Sequence, residues 1–101
     1  MSLRAYLSVP YILASDSLIR DGDWIRIVRY PELPGCVVEG FETVRMIDEL
    51  DEKRVTMIVS ALQNGVEPPV PRPALSNVDV EGLLSRLGLE RLIPLLDELG
   101  A

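Results

Sequence analysis

Cys36 is the one thiol in the chain, and the chain contains no histidine. A thiol becomes an efficient nucleophile when a neighbouring imidazole takes its proton, so a Cys-His pair cannot be assembled within one subunit. The missing histidines also remove the usual general base at neutral pH and the commonest metal ligand. Free cysteines are among the most buried residue types, and structural burial is the reading adopted for Cys36. No glycine-rich phosphate loop and no Cys/His metal spacing occurs along the chain. Tyr6, Tyr11, Trp24, Tyr30 and Phe41 offer ring faces for base stacking. Arg26 and Arg29, the basic residues among them on one strand, point to opposite faces, so a packed sheet accounts for the aromatics at least as well. No catalytic residue, metal site or cofactor is expected.

The chain's 101 residues suffice for one domain with a small appendage. Hydrophobic residues make up 48%, enough for a core. So short a chain still buries a modest share of its surface, and oligomerisation is a common remedy. The net charge of −6 disfavours non-specific binding to nucleic acid and suits a basic partner. A single cysteine allows no internal disulfide and fits a reducing compartment. No apolar run approaches the roughly 20 residues that span a bilayer. The first residues lack the parts of a signal peptide, and a cytoplasmic protein is expected. Met1-Ser2-Leu3 has the look of an expression remnant and carries no weight.

Ala5 to Leu13 alternates, with Leu7, Val9, Tyr11 and Leu13 on one face, which predicts a strand with Pro10 at an edge or bulge. Asp16 to Asp23 reads as a polar connection ending in the hairpin-type turn Asp21-Gly22-Asp23. Trp24 to Tyr30 predicts a second strand, and Cys36 to Glu39 a third. A helix is predicted from about Val44 to Asn64, with Val44, Ile47, Val55, Ile58 and Leu62 at helical spacing and Leu50, Met57 and Ala61 widening the stripe. Asp51 interrupts that stripe. Asn64-Gly65 is its stop.

Between the sheet and the helix lies the most informative stretch, Tyr30-Pro31-Glu32-Leu33-Pro34-Gly35-Cys36 followed by Gly40 and Thr43. Pro31 and Pro34 fix their own φ and push the residue before each toward extended geometry. Gly35 permits a conformation that a side chain resists, Gly40 can do the same, and Thr43 has the oxygen a helix cap wants. This run resembles the signature of HicB-like antitoxins, in which a strand ends in an aromatic, then Pro-(Asp/Glu)-Leu-Pro-Gly-Cys, then Gly and Thr opening a helix. Gly65 through Pro73 matches a second feature, a Gly and a Pro-containing tail after that helix. The resemblance spans Tyr11 to Pro73 and departs inside the helix, whose first turn lacks the acidic residue and alanines frequent in the family.

The resemblance implies a truncated ribonuclease-H-like fold, in which the segment after the helix returns to the sheet, here by Val66-Glu67 or Val70. A nuclease of that kind needs converging acids to hold Mg²⁺, and Asp16, Asp21, Asp23, Glu32 and Glu39 are the candidates. Most sit in predicted turns, where Asp also satisfies backbone groups, and nothing in their spacing forces convergence. The family acts chiefly by binding.

Ser76 to Ala101 is helical in pattern, with Asp79 capping a helix that Gly88 closes, and a second helix bearing Pro94 near its start and Gly100 at its stop. Leu83, Leu84, Leu87, Leu89, Leu92, Leu95, Leu96 and Leu99 are too many to leave in water, and two short helices cannot bury them alone. DNA-binding modules occur at this position in the family. Residues 76–101 carry five acids (Asp79, Glu81, Glu90, Asp97, Glu98) against two bases (Arg86, Arg91), a balance of −3 that phosphates would repel. Direct DNA binding is therefore not expected, and the segment reads as an association element built on Leu83, Leu84, Leu87, Leu92, Leu95, Leu96 and Leu99.

The combined expectation is an α+β fold: an antiparallel sheet of three to four strands with one long helix on a face (residues 1–75), then the leucine-rich helical extension (76–101). The resemblance implies a non-enzymatic antitoxin-type protein that covers the RNA-binding face of a small basic HicA-type toxin. Glu32, Glu39, Asp48, Glu49, Asp51 and Glu52 are the candidate acidic surface, and a homo-oligomer is expected. The alternatives are a stand-alone oligomeric HicB-like domain without a toxin and, more distantly, a ribonuclease-H-like metal-dependent nuclease.

Overall fold

A computed structural model describes residues 1–101. The chain begins with a helix, α1 (Leu3–Leu7), where a strand was expected over Ala5–Leu13. Ser2 accepts the Ala5 N–H on its Oγ at 3.3 Å, and Leu3, Tyr6 and Leu7 fall on one buried stripe. The residues set aside as a remnant thus supply both the cap and the first core side chain, and their helical spacing overrides the alternation downstream. Residues 9–13 then run without regular structure into β1 (Ala14–Arg20), which occupies the stretch read as a polar connection.

β1 and β2 (Asp23–Arg29) pair antiparallel in unbroken register from Ala14↔Arg29 to Arg20↔Asp23. Asp21 and Gly22, with φ of 53° and 83°, turn the hairpin in the left-handed conformation that a two-residue loop requires. β1 can be polar because it is an edge strand that little covers. Pairing with β2, not hydrophobicity, makes it a strand. β3 (Val37–Gly40) completes a three-stranded sheet of order β1-β2-β3.

The proline-bracketed stretch makes the β2–β3 reversal. The Tyr30 N–H donates to the Cys36 carbonyl, Leu33 N–H to Tyr30, and Cys36 N–H to Leu33, each at 3.0 Å. Leu33 and Cys36 point into the core, while Gly35 turns the corner at φ 87°. Gly35→Val forces a β-branched side chain into that region and is expected to cost about 1–3 kcal/mol, read as a lowered thermal midpoint. Unchanged stability would contradict this account of the turn.

α2 (Thr43–Gln63) follows. Thr43 is its first helical residue and not its cap. Glu42 holds the cap position, and its side chain makes no capping bond. Met46, Leu50, Val55, Ile58 and Val59 form the buried stripe, which Val44 does not join, being 83% exposed. At the far end Gly65 N–H bonds to Leu62 O and Val66 N–H to Ala61 O, a complete Schellman stop.

The segment after α2 does not return to the sheet. Pro68, Pro69, Pro71 and Pro73 lack the N–H groups that a ladder needs. The segment instead ties to residues 8–12 and to the turn: Tyr11 donates to Pro69 O at 2.6 Å, Leu75 N–H to Ser8 O at 2.9 Å, and Arg72 to Glu32 at 2.7 Å. The outer edge of β1 is left without a partner strand.

α3 (Val80–Arg86) is capped by Asp79, whose carboxylate accepts the Gly82 N–H at 3.0 Å. Glu90–Leu95 is a 3-10 turn containing Pro94. This C-terminal part folds back on α1. Its Leu99 and Leu96 carbonyls accept the Leu3 and Arg4 N–H groups at 2.7 and 2.9 Å, which α1 leaves free at its own start. Arg4 bridges Glu81 and Asp97 at 2.7 and 2.8 Å. Leu3, Tyr6 and Leu7 of α1, Val28 of β2, the α2 stripe and Val80, Leu84, Leu89 and Leu96 belong to one core of 15 buried residues.

Candidate functional site

Cys36 and the acids considered for a metal site are dispersed. Cys36 is buried, its Sγ 3.8 Å from the Leu50 carbonyl, and burial pushes its thiol pKa up, away from the reactive thiolate. Asp16 pairs with Arg29 at 3.0 Å and Glu39 with Arg20 at 3.0 Å, while Asp21 sits in the hairpin turn. No three His, Cys, Asp or Glu side chains come close enough to share a metal ion. Tyr30, Asp51 and Arg54 do come together, on a hollow of about 280 Å³ that Tyr11 also lines, with the Tyr30 hydroxyl donating to Asp51 at 2.6 Å.

The six acids assigned to a partner surface separate into two groups. Glu32 turns inward: it accepts the Ile12 N–H at 2.8 Å and pairs with Arg72, whose hydrogen bond lowers its pKa. Asp51 keeps only 14% of its side-chain surface exposed in a polar cluster, accepting the Tyr30 hydroxyl at 2.6 Å and meeting Arg54 Nε at 3.4 Å. Asp48 is tied to Arg86. Glu32 and Asp51 serve the fold, and this explains why an acid interrupts the helix stripe, whereas Asp48 keeps 45% of its side chain exposed. Glu49 and Glu52 stand exposed on α2 without an ion pair, and Glu39 is exposed beside them.

Glu39 and Glu49 join Glu42 around an open groove of about 250 Å³ at the start of α2, with Phe41, Arg45 and Met46. Phe41 is 73% exposed and shares a second hollow of about 140 Å³ with Trp24, itself 67% exposed. Val44 lies beside them in sequence. Phe41 thus joins the acidic groove to an aromatic hollow whose charged lining residue is Arg26, a surface that the sequence reading missed by placing Trp24 and Phe41 in a packed sheet and Val44 in the helix stripe. Their positions held the signal: Trp24 follows the hairpin turn almost directly, and Phe41 lies between Gly40 and the helix cap, outside both elements.

Among the seven leucines assigned to self-association, Leu84 and Leu96 are fully buried inside the chain, and Leu83, Leu87, Leu92, Leu95 and Leu99 are half-buried. Leu84 and Leu96 are covered by the chain itself and cannot meet a second copy in this conformation. Of the structural-turn residues, Pro31, Pro34 and Gly35 form the β2–β3 reversal, and Gly40 closes β3 with Met46 packed against it at 3.3 Å from a notional Cβ. No helix is long and apolar enough to cross a membrane.

Burial and the Asp51 hydrogen bond raise the Tyr30 pKa well above 10.0, and burial raises those of Tyr6, Tyr11 and Cys36. Above those ordinary values the unfolded chain loses protons that the folded chain retains, so rising pH favours unfolding. The contribution is complete below the unfolded pKa values and is lost as pH climbs through the folded ones. Urea midpoints are expected to hold near pH 8 and to fall progressively from about pH 9 to 11. A flat profile would contradict these burial assignments.

A search of protein-family models, curated proteins and solved structures returned no match to this chain.

Proposed function

We propose that this chain is a HicB-like antitoxin-type binding protein whose partner is a small basic HicA-type toxin acting on RNA in the cytoplasm. The observation that carries the reading is the course of the chain from Tyr30 to Gln63: the Tyr-Pro-Glu-Leu-Pro-Gly-Cys run reverses β2 into β3, and Gly40 leads into a 21-residue helix. That is the order of elements which the resemblance implies. The exposed surface supports it chemically. Glu39, Glu42 and Glu49 line a groove with Phe41, which also borders the hollow of Trp24 and Arg26, giving apolar contact area beside acids suited to a basic face. Binding there would occlude the toxin's RNA site by bulk and charge, with no bond made or broken. Arg45 at the groove gives one donor toward an acidic group of the partner.

The test is recovery of the protein from its native host at natural expression level. A stoichiometric small basic protein supports the proposal. Recovery of this chain alone would overturn it and favour the stand-alone domain.

A further inference from the structure

β1 offers a hydrogen-bonding edge that nothing in the fold protects. It is seven residues long, contains no proline or bulge, and keeps register with β2 throughout. β2 is the one element with which it makes extensive contact. The other edge is different: β3 has four residues, and Lys53 reaches its Val37 carbonyl at 3.1 Å. Chains usually blunt open edges by shortness, lysine, proline or bulges, and β1 shows none of these. What it does show is an ordered set of side chains. Asp16, Leu18 and Arg20 lie on the sheet face away from α2, at alternate positions, while Ser17 and Ile19 lie on the other.

We propose that β1 pairs antiparallel with β1 of a second copy about a two-fold axis at Leu18, making a continuous six-stranded sheet. In that register Leu18 meets Leu18 of the second copy. Asp16 faces Arg20 of the second copy, and Arg20 faces its Asp16. Ser17 faces Ile19, which is 60% exposed in the single chain. The two charges that would repel a random strand thus become two ion pairs flanking an apolar centre. A register moved by one residue, centred on Ser17, sets Asp16 against Leu18 and Arg20 against Ala14, and forms no ion pair. Within each copy Asp16 already meets Arg29 and Arg20 meets Glu39, so the joint extends an alternating row of charges. The leucine-rich tail has less to offer a second copy, because its Leu84 and Leu96 are consumed by the chain's own core. This pairing is independent of any toxin.

The test is the molar mass of the full chain by sedimentation equilibrium. The wild type is expected at twice 11.2 kDa. Asp16→Arg and Arg20→Asp are each expected to halve the mass, since each sets like charges face to face. Mixing the two single variants is expected to restore the dimer, because opposite charges then face each other at both pairs. Amide exchange on the wild type gives a reading that needs no variant: alternate β1 amides gain protection as concentration rises. A monomeric wild type, single variants that remain dimeric, a mixture that stays monomeric, or β1 amides that exchange freely at every concentration would each overturn the proposal.

Discussion

Truncation after Pro73 is expected to abolish cooperative unfolding, not simply to alter the state of association. The deletion removes Val80, Leu84, Leu89 and Leu96, which lie in the same core as α1 and α2. Each fully buried side chain of this kind contributes about 1.5–3 kcal/mol, so their loss consumes most of the roughly 5–15 kcal/mol that holds a small domain together. The same cut frees the Leu3 and Arg4 N–H groups, which the tail carbonyls now satisfy. A milder version is Leu84→Ala, with an expected loss of about 2–5 kcal/mol. Thermal melts followed by far-ultraviolet circular dichroism would distinguish the cases. A truncated chain that melts as sharply as the intact one would show that the tail is dispensable.

Arg54→Met is the second large effect expected. Arg54 is 7% exposed, lies with its guanidinium 5.9 Å from the Tyr30 ring centroid, and meets Asp51 and the Leu7 carbonyl at 3.4 and 3.5 Å. Removing one partner of a buried pair typically costs about 3–5 kcal/mol, because the remaining charge is desolvated without compensation. Here Asp51 keeps the Tyr30 hydroxyl and a distant Arg86, and the Arg54 distances are long, so a loss of about 2–3 kcal/mol is expected. In a chain of this size that lowers the thermal midpoint on the order of 10 °C. Adding Asp51→Asn should recover part of the loss by removing the stranded charge. A double variant that is less stable than either single one would refute the pairing.

Local chemistry made the middle of the chain legible. Prolines, glycines and the Asp-Gly turn restrict their own backbone, so β2, the β2–β3 reversal, β3, α2 and its stop at Asn64-Gly65 follow from short stretches of sequence. α3 was legible for the same reason, through Asp79 and Gly88. The first strand was not. Alternation from Leu7 to Leu13 competed with the helical spacing of Leu3, Tyr6 and Leu7, and the docking of the tail decides for the helix. β1 escaped notice because a polar edge strand owes its existence to a partner and not to its own period. The number of leucines in the tail showed that they must be covered, but not that α1 would cover them. Asp51 read as a surface acid interrupting the helix stripe, since nothing in its spacing reveals that Tyr30 and Arg54 close around it.

On the candidate surface, Asp48, Glu49 and Glu52 are legible as helix acids open to solvent, whereas Glu32 and Asp51 are claimed by Arg72 and the Tyr30 cluster. Phe41 and Trp24 bring apolar area that the acids alone lack. The surface that remains after these corrections is smaller, and better suited to one protein face than a diffuse acidic helix would be.

The most direct measurement is RNA cleavage by the basic protein recovered with this chain, assayed with and without the purified chain added back. Stoichiometric wild-type protein is expected to suppress cleavage, and Glu39→Gln/Glu42→Gln/Glu49→Gln is expected to release it while the thermal midpoint stays within a few degrees. Cleavage that continues unchanged in the presence of the wild type, or a recovered partner without activity on RNA, would contradict the antitoxin account.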